Sequence, residues 1–155
     1  MPYLTIYVHL VWSTKYRQPL LTGDIRNKVF YHIKANAIRN NIFVDHVGGY
    51  TDHIHCLVLL KKDQTISRVV KMLKGESSHW INQHKLTPSK FRWQRQYYAV
   101  SIDLSRLQII RKYIRNQEKH HQLKTLDNEL NNLFCCGFKT TAKERKCFKT
   151  TAKEG

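Results

Sequence analysis

The sequence predicts an α+β fold of the ferredoxin-like or RRM-like kind. Strands and helices run β-α-β-β-α-β, forming one antiparallel sheet with helices on one face, and a C-terminal helix follows. Three observations predict it. Four short stretches are apolar at alternate positions or rich in branched residues. Two longer stretches repeat apolar residues every three to four positions. The gap between the second and third strands is too short for anything but a hairpin. A chain of 155 residues fits one domain and can bury a core without disulfide or metal staples.

Taken in order, Leu4, Ile6, Val8, Leu10 and Trp12 alternate within residues 3–14 and mark the first strand. Lys15 to Gly23 holds Pro19 and reads as a loop, with Thr22 or Asp24 as the cap of a helix. Ile25, Val29, Ile33 and Ala37 recur every fourth residue, and Asn40-Asn41 stops the helix. Ile42 to Tyr50 is the second strand, with a turn or bulge expected at Gly48-Gly49 and Thr51-Asp52. His53 to Leu60 is the third. Thr65 caps a helix whose apolar stripe is Ile66, Val69, Val70, Leu73, Trp80 and Ile81, with Gly75 weakening its middle. After a loop over Lys85–Lys90 comes a fourth strand, Gln96 to Ile102. Ser101, Asp103 or Ser105 then caps a last helix with Leu107, Ile110 and Ile114 on one side.

The folded domain is expected to span 1–133. Residues 134–155 are expected to be a solvated basic tail, in which Phe138–Glu144 recurs letter for letter as Phe148–Glu154. Two copies do not make a solenoid. Cys56, Cys135, Cys136 and Cys147 form no CxxC pair and read as reduced thiols.

Twenty-seven Lys and Arg against eleven Asp and Glu give a net charge of +16. Such a chain attracts polyanions, nucleic acid before anionic membrane. Acidic-tail chaperones, collagen-like fibres and disulfide-stapled secreted miniproteins are disfavoured. No apolar run approaches the ~20 residues that cross a bilayer. The opening Met1–Thr5 has no charged segment leading into an apolar one, so a cytoplasmic location and no membrane partner are expected.

His53-Ile54-His55 stands out chemically. On a strand, His53 and His55 share a face, and two imidazoles on one rigid element preorganise a divalent cation site. Nine histidines make such a triplet common by chance. Its context is more informative, because Ile54, Cys56, Val58 and Leu60 give the opposite face a purely apolar surface. Tyr113 and Gln117 sit i and i+4 on the last helix. On spacing alone, Tyr113 reads as rim packing and Gln117 as a solvent-facing helix former.

Together these pieces resemble the single-tyrosine HUH transposases of the insertion-sequence-two-hundred type. The supporting words are Val11–Arg17, Gly49–His55, Trp93–Tyr98 and Tyr113–Gln117 with His120-His121, so the likeness spans about residues 3–122. REP-associated tyrosine transposases, rolling-circle initiators and relaxases have similar cores. The resemblance implies that His53, His55 and Gln117 bind Mg²⁺ or Mn²⁺ and that Tyr113 is the nucleophile. It implies cleavage of single-stranded DNA through a 5′-phosphotyrosine with a free 3′-OH, then rejoining without ATP. It also implies hairpin-bearing element ends as substrate, and a homodimer in which one subunit's tyrosine serves its partner's histidines.

Arg92, Arg95, Arg106, Arg111, Lys112 and Arg115, interleaved with Trp93 and Tyr97, are the expected DNA-binding residues, by phosphate pairing and base stacking. The alternatives are a domesticated or replicative HUH endonuclease, a noncatalytic RRM-like single-strand binder, and a metal nuclease that uses water. The binder leaves the histidines and Tyr113 unexplained, and the hydrolytic nuclease leaves Tyr113 unexplained.

Overall fold

The computed structural model describes residues 3–117. In chain order the elements are β1 (Ile6–Ser13), α1 (Gly23–Arg39), β2 (Phe43–Gly49), β3 (His53–Leu60), α2 (Ile66–Gln83), β4 (Tyr98–Ile102) and α3 (Leu107–Arg115), with short 3₁₀ turns at Lys15–Arg17 and Leu104–Arg106. The strands form one antiparallel sheet in the order β2-β3-β1-β4. This is the α+β, ferredoxin-like arrangement that the periodicities predict. The expected domain end at 133, the duplicated tail, His120-His121 and three of the four cysteines lie outside the described residues.

Alternation decides which residues enter the core. Val8, Leu10 and Trp12 of β1 and Ile54, Cys56 and Val58 of β3 pack against Val29, Ile33 and Ala37 of α1 and Val69, Val70, Leu73 and Ile81 of α2. Thr65 caps α2 by accepting the amide of Arg68 at 3.3 Å. Thr22 stands at the N-cap of α1 but makes no side-chain bond there. The fourth strand starts two residues later than expected, at Tyr98. Tyr97 precedes it and packs against the core.

The segment before β4 is held by tertiary bonds. Thr14 pairs with Trp93 in an isolated bridge, and the amides of Lys15 and Gln94 bond the carbonyls of Arg92 and Ser13. Phe91 and Trp93 stack edge-on with each other, and Trp93 does the same with Trp12. The Trp93 indole donates to the Ser77 hydroxyl at 2.9 Å. This satisfies a buried polar group inside an aromatic cluster.

The bulge in β2 lies at Asp45, between the Val44↔Val58 and His46↔Leu57 pairs, earlier than the Gly48-Gly49 position expected. The extra residue shifts the alternation by one. Val44 and Val47 thereby both turn toward the core, and Gly48 shares the opposite face with its partner His55.

That opposite face is not open. α3 lies across it, against β2 and β3, and buries Leu107, Ile110 and Ile114. A nine-residue helix does not persist in water unaided. Burial of these side chains, about 1.5–3 kcal/mol each when complete, holds it in place. Gly48 permits the approach, since a Cβ built there would meet the carbonyl oxygen of Ile114 at 2.1 Å and its Cγ2 at 2.8 Å.

Gly48→Ala should therefore push α3 off the sheet, at a cost of about 1–3 kcal/mol. Hydrogen exchange should accelerate in Leu107–Arg115 while the β1 and β3 amides stay protected. Unchanged exchange in α3 would count against this contact as the one that seats the helix.

Candidate active site

The site is built on the face of the sheet that α3 covers. β3 contributes His53 and His55, both fully buried. Their rings lie 5.0 Å apart at 77°. β1 adds His9, whose strand partner is Leu57, next to the Val11↔His55 pair. His9 is therefore a diagonal neighbour of His55 on the same face. Its Nε2 lies 2.9 Å from Nδ1 of His55, and the rings stack at 5.1 Å and 27°. Burial lowers the His9 pKa to about 4, so this imidazole is neutral at neutral pH.

α3 brings Tyr113 of the same chain to the histidines, and Gln117, expected on the same helix, follows its C-cap Asn116. The half-buried Tyr113 ring meets His55 edge-on at 5.5 Å and His9 at 6.3 Å. Gln117 is buried. Its Nε2 donates to the Tyr113 carbonyl at 3.3 Å, which turns Oε1 toward Nε2 of His53 at 3.5 Å. Tyr113 thus flanks His55, and Gln117 faces His53, within a single chain.

The turn before β3 fixes the other side of His53. Asp52 Oδ1 lies 2.7 Å from His53 Nδ1, and Oδ2 is 3.4 Å from Nε of Arg17. Thr14 bonds the Asp52 carbonyl through its amide at 2.8 Å, and the Leu21 amide bonds that of Thr51. Tyr16 and Arg17, in the loop after β1, both adopt left-handed φ, 58° and 53°. Two adjacent non-glycine residues in that region cost free energy, which the bonds from Thr14 and Leu21 to the turn help to offset. The Thr14–Arg17 stretch is therefore a brace for the turn that carries Asp52.

In the neutral tautomer protonated at Nδ1, where Asp52 accepts, His53 presents a lone pair at Nε2 toward the lone pairs of Gln117 Oε1. Two acceptors converging in a buried place fit a cation between them. Cis ligands of an octahedral ion at ~2.1 Å lie about 3 Å apart. Among the described residues, no three His, Cys, Asp or Glu side chains are grouped as metal ligands. The donors that converge here are imidazole and amide, neutral groups that leave a divalent ion its full charge. Cys56 is on the helix side of β3, and burial pushes its thiol pKa up, so it is no nucleophile.

The expected DNA contacts divide. Arg92, Arg95, Arg106, Lys112 and Arg115 are exposed. Trp93 lies in the core, and its indole N–H is donated to the Ser77 hydroxyl. Tyr97 is half-buried against the same core. Arg111 is committed to Asp45, with Nε at 2.7 Å and Nη2 at 3.2 Å from its two oxygens, and ties α3 to the β2 bulge. Spacing also missed two members of the site. Asp52 was visible as the neighbour of His53, but His9 carried no signal until strand pairing placed it beside His55.

The fold is that of solved transposases. One, from Deinococcus radiodurans, superposes with a TM-score of 0.61 at 24% identity, covering 75% of this chain and 93% of that one. A REP-associated tyrosine transposase, solved bound to a REP hairpin, gives 0.58 at 16% identity, covering 83% of this chain and 76% of that one. The chain belongs to the IS200-like transposase family, whose profile matches residues 3–117. It is 28% identical over 115 residues to the ISDra2 transposase TnpA of Deinococcus radiodurans, covering 70% of this chain and 81% of the relative. To the transposase of the insertion sequence element IS200 from Salmonella typhimurium it is 27% identical over 114 residues, covering 70% and 74%. DNA binding and transposition are the activity of this family. Among the described residues, no helix is long and apolar enough to cross a membrane.

Asp45 gives α3 docking a pH dependence. Burial alone would raise its pKa, but hydrogen bonds and charge from Arg111 and His46 outweigh burial and lower it. A depressed carboxylate stabilises the fold fully above its unfolded pKa, about 3.9, and loses that contribution as pH falls through the native value. Arg111→Ala should destabilise the protein at neutral pH and progressively less below about pH 4. Denaturant titrations of both proteins across that range test it, and a difference that stays constant in acid contradicts it.

Proposed function

We propose that this transposase cuts and rejoins single-stranded DNA with Tyr113 as nucleophile, at a divalent cation site formed by His53, His55 and Gln117. The observation that carries the reading is the docking of α3: the helix sets the Tyr113 ring against His55, and just past its end Gln117 bonds the Tyr113 carbonyl and turns its own Oε1 toward His53. Family membership supports it, because a transposase must both break and rejoin a phosphodiester.

When bound, Mg²⁺ or Mn²⁺ would draw charge from the phosphate oxygens and make the phosphorus a better electrophile. The chain's own residues do the rest. Asp52 accepts the Nδ1–H of His53 and so leaves its Nε2 to face Gln117 Oε1. Tyr113 Oη forms the bond to phosphorus, the phosphorus–O3′ bond breaks, and the departing 3′ oxygen takes up a proton as the phenol loses one. The product is a 5′-phosphotyrosine beside a free 3′-OH. Attack by a 3′-OH reverses these bond changes and reseals the strand, so no ATP is consumed. The exposed Arg92, Arg95, Arg106, Lys112 and Arg115 supply sequence-independent phosphate affinity. Hairpin-bearing element ends are the proposed substrate, in keeping with the REP hairpin held by the solved REP-associated relative. A homodimer is part of the proposal; where its subunits exchange α3, the partner's Tyr113 takes the position that Tyr113 of the same chain holds against His55.

Tyr113→Phe keeps the ring and its contact with His55 but removes the attacking oxygen. Binding of a labelled single-stranded hairpin with Mg²⁺ or Mn²⁺ should survive, while cleavage and the covalent adduct vanish. Peptide mapping of the wild-type adduct should find Tyr113. An adduct at another tyrosine, or cleavage without any adduct, refutes the assignment, and the second outcome favours hydrolysis by water. Mixing Tyr113→Phe with His55→Ala copies should restore the adduct if α3 is exchanged between subunits.

His53→Ala and His55→Ala should each lower cleavage by at least about a hundredfold with hairpin affinity largely kept. Gln117→Ala should be milder, because water can replace a neutral amide. Full activity of the double histidine variant in chelator would sink the metal reading.

A further inference from the structure

We propose that His9 is a positioning residue of this site: its Nε2 accepts the Nδ1–H of His55 and so holds His55 in the tautomer whose Nε2 can bind a metal. The inference rests on the reading of His55 as a ligand and deepens it. Four observations support it. The two nitrogens are 2.9 Å apart. The rings stack, so His9 fixes the tilt of His55 as well as its proton. Both residues are buried, where a misplaced hydrogen bond is costly. Finally, Val11 and Leu57, both buried and apolar, neighbour His9 on this face, with Val100 of β4 as its other strand partner and Tyr7 and the edge of Tyr113 beside it. An imidazole among such residues costs free energy unless it is hydrogen-bonded, and a leucine would pack there more favourably.

The ligand role of His55 fixes the direction of the bond. One hydrogen lies between His9 Nε2 and His55 Nδ1. If His9 donated it, neutral His55 would carry its own proton on Nε2 and have no lone pair to offer outward. If His55 donates, Nε2 of His55 is a ligand atom. His9 therefore does for His55 what Asp52 does for His53, with one difference. The carboxylate adds negative charge, shared with Arg17, whereas the neutral imidazole leaves the net charge of the site unchanged. Second groups of this kind are worth about 10- to 100-fold in metal affinity.

The test uses the full chain without DNA and reads Mn²⁺ binding by calorimetry, beside thermal stability. His9→Leu suits the apolar neighbours and should stay folded, with Mn²⁺ affinity reduced about 10- to 100-fold. His9→Gln offers an amide oxygen to the same N–H and should recover part of the loss. In a His55→Ala background, His9→Leu should cost nothing further. Nitrogen-15 spectra of the metal-free wild type should show His55 protonated at Nδ1, a readout that needs no variant to fold. Wild-type affinity in His9→Leu, an equal loss with and without His55, or an Nε2-protonated His55 would overturn the proposal while leaving the metal site standing. A wild-type protein that takes up no Mn²⁺, or binds it equally well without His55, would overturn both readings.

Discussion

The arrangement depends on how closely α3 approaches the sheet. Gly48 lets the backbone at Ile114 sit where any side chain at position 48 would collide. The placement of Tyr113 and Gln117 follows from this distance. Tyr113 and Gln117 reach the histidines because the helix lies on the backbone of β2 instead of riding over a side chain. The Asp45 bulge makes the approach possible in two ways. It flips the strand so that a glycine, not a valine, faces α3, and it supplies the carboxylate that Arg111 grips. One extra residue in a strand thus sets both the surface and the latch.

The second theme is how buried polar groups are accommodated. Imidazole rings are costly under a helix unless their nitrogens are satisfied. Here each β3 histidine has a different group at Nδ1, Asp52 for His53 and His9 for His55. The chain of support runs outward from there. Asp52 is pinned by Thr14 and Arg17, and Thr14 belongs to the stretch that bridges to Trp93. The residues just after β1 contribute to the site by bracing a turn.

Charge acts at longer range. A net +16 draws a polyanion to the molecule whatever its sequence. Of the residues expected to meet it, Arg92, Arg95, Arg106, Lys112 and Arg115 are exposed. Arg111 and Trp93 are bound within the protein, one in an ion pair and the other in an aromatic cluster. Residue type alone did not distinguish them from their neighbours, because an arginine reads the same whether it faces a phosphate or a carboxylate.

The sequence alone determined what is local and periodic. Alternation in β1 and β3, the four-residue spacing in α1 and the stripe Leu107, Ile110 and Ile114 assigned the elements and their buried faces, because burial follows the strand and helix repeats. The His53–His55 pair was legible for the same reason, being two residues apart on one strand. Contacts between distant segments were not legible. His9 lies 46 residues from His55 and becomes its partner only through the β1–β3 register. Asp45 and Arg111 are 66 residues apart and meet only because a bulge displaces the strand. α3 can cover the histidine face because Gly48 removes one Cβ at the point of closest approach, and no periodicity records what a missing side chain admits. Periodic pattern fixes which side of an element is buried, whereas register, bulges and close backbone contacts fix against what, and those arise only when the chain has folded on itself.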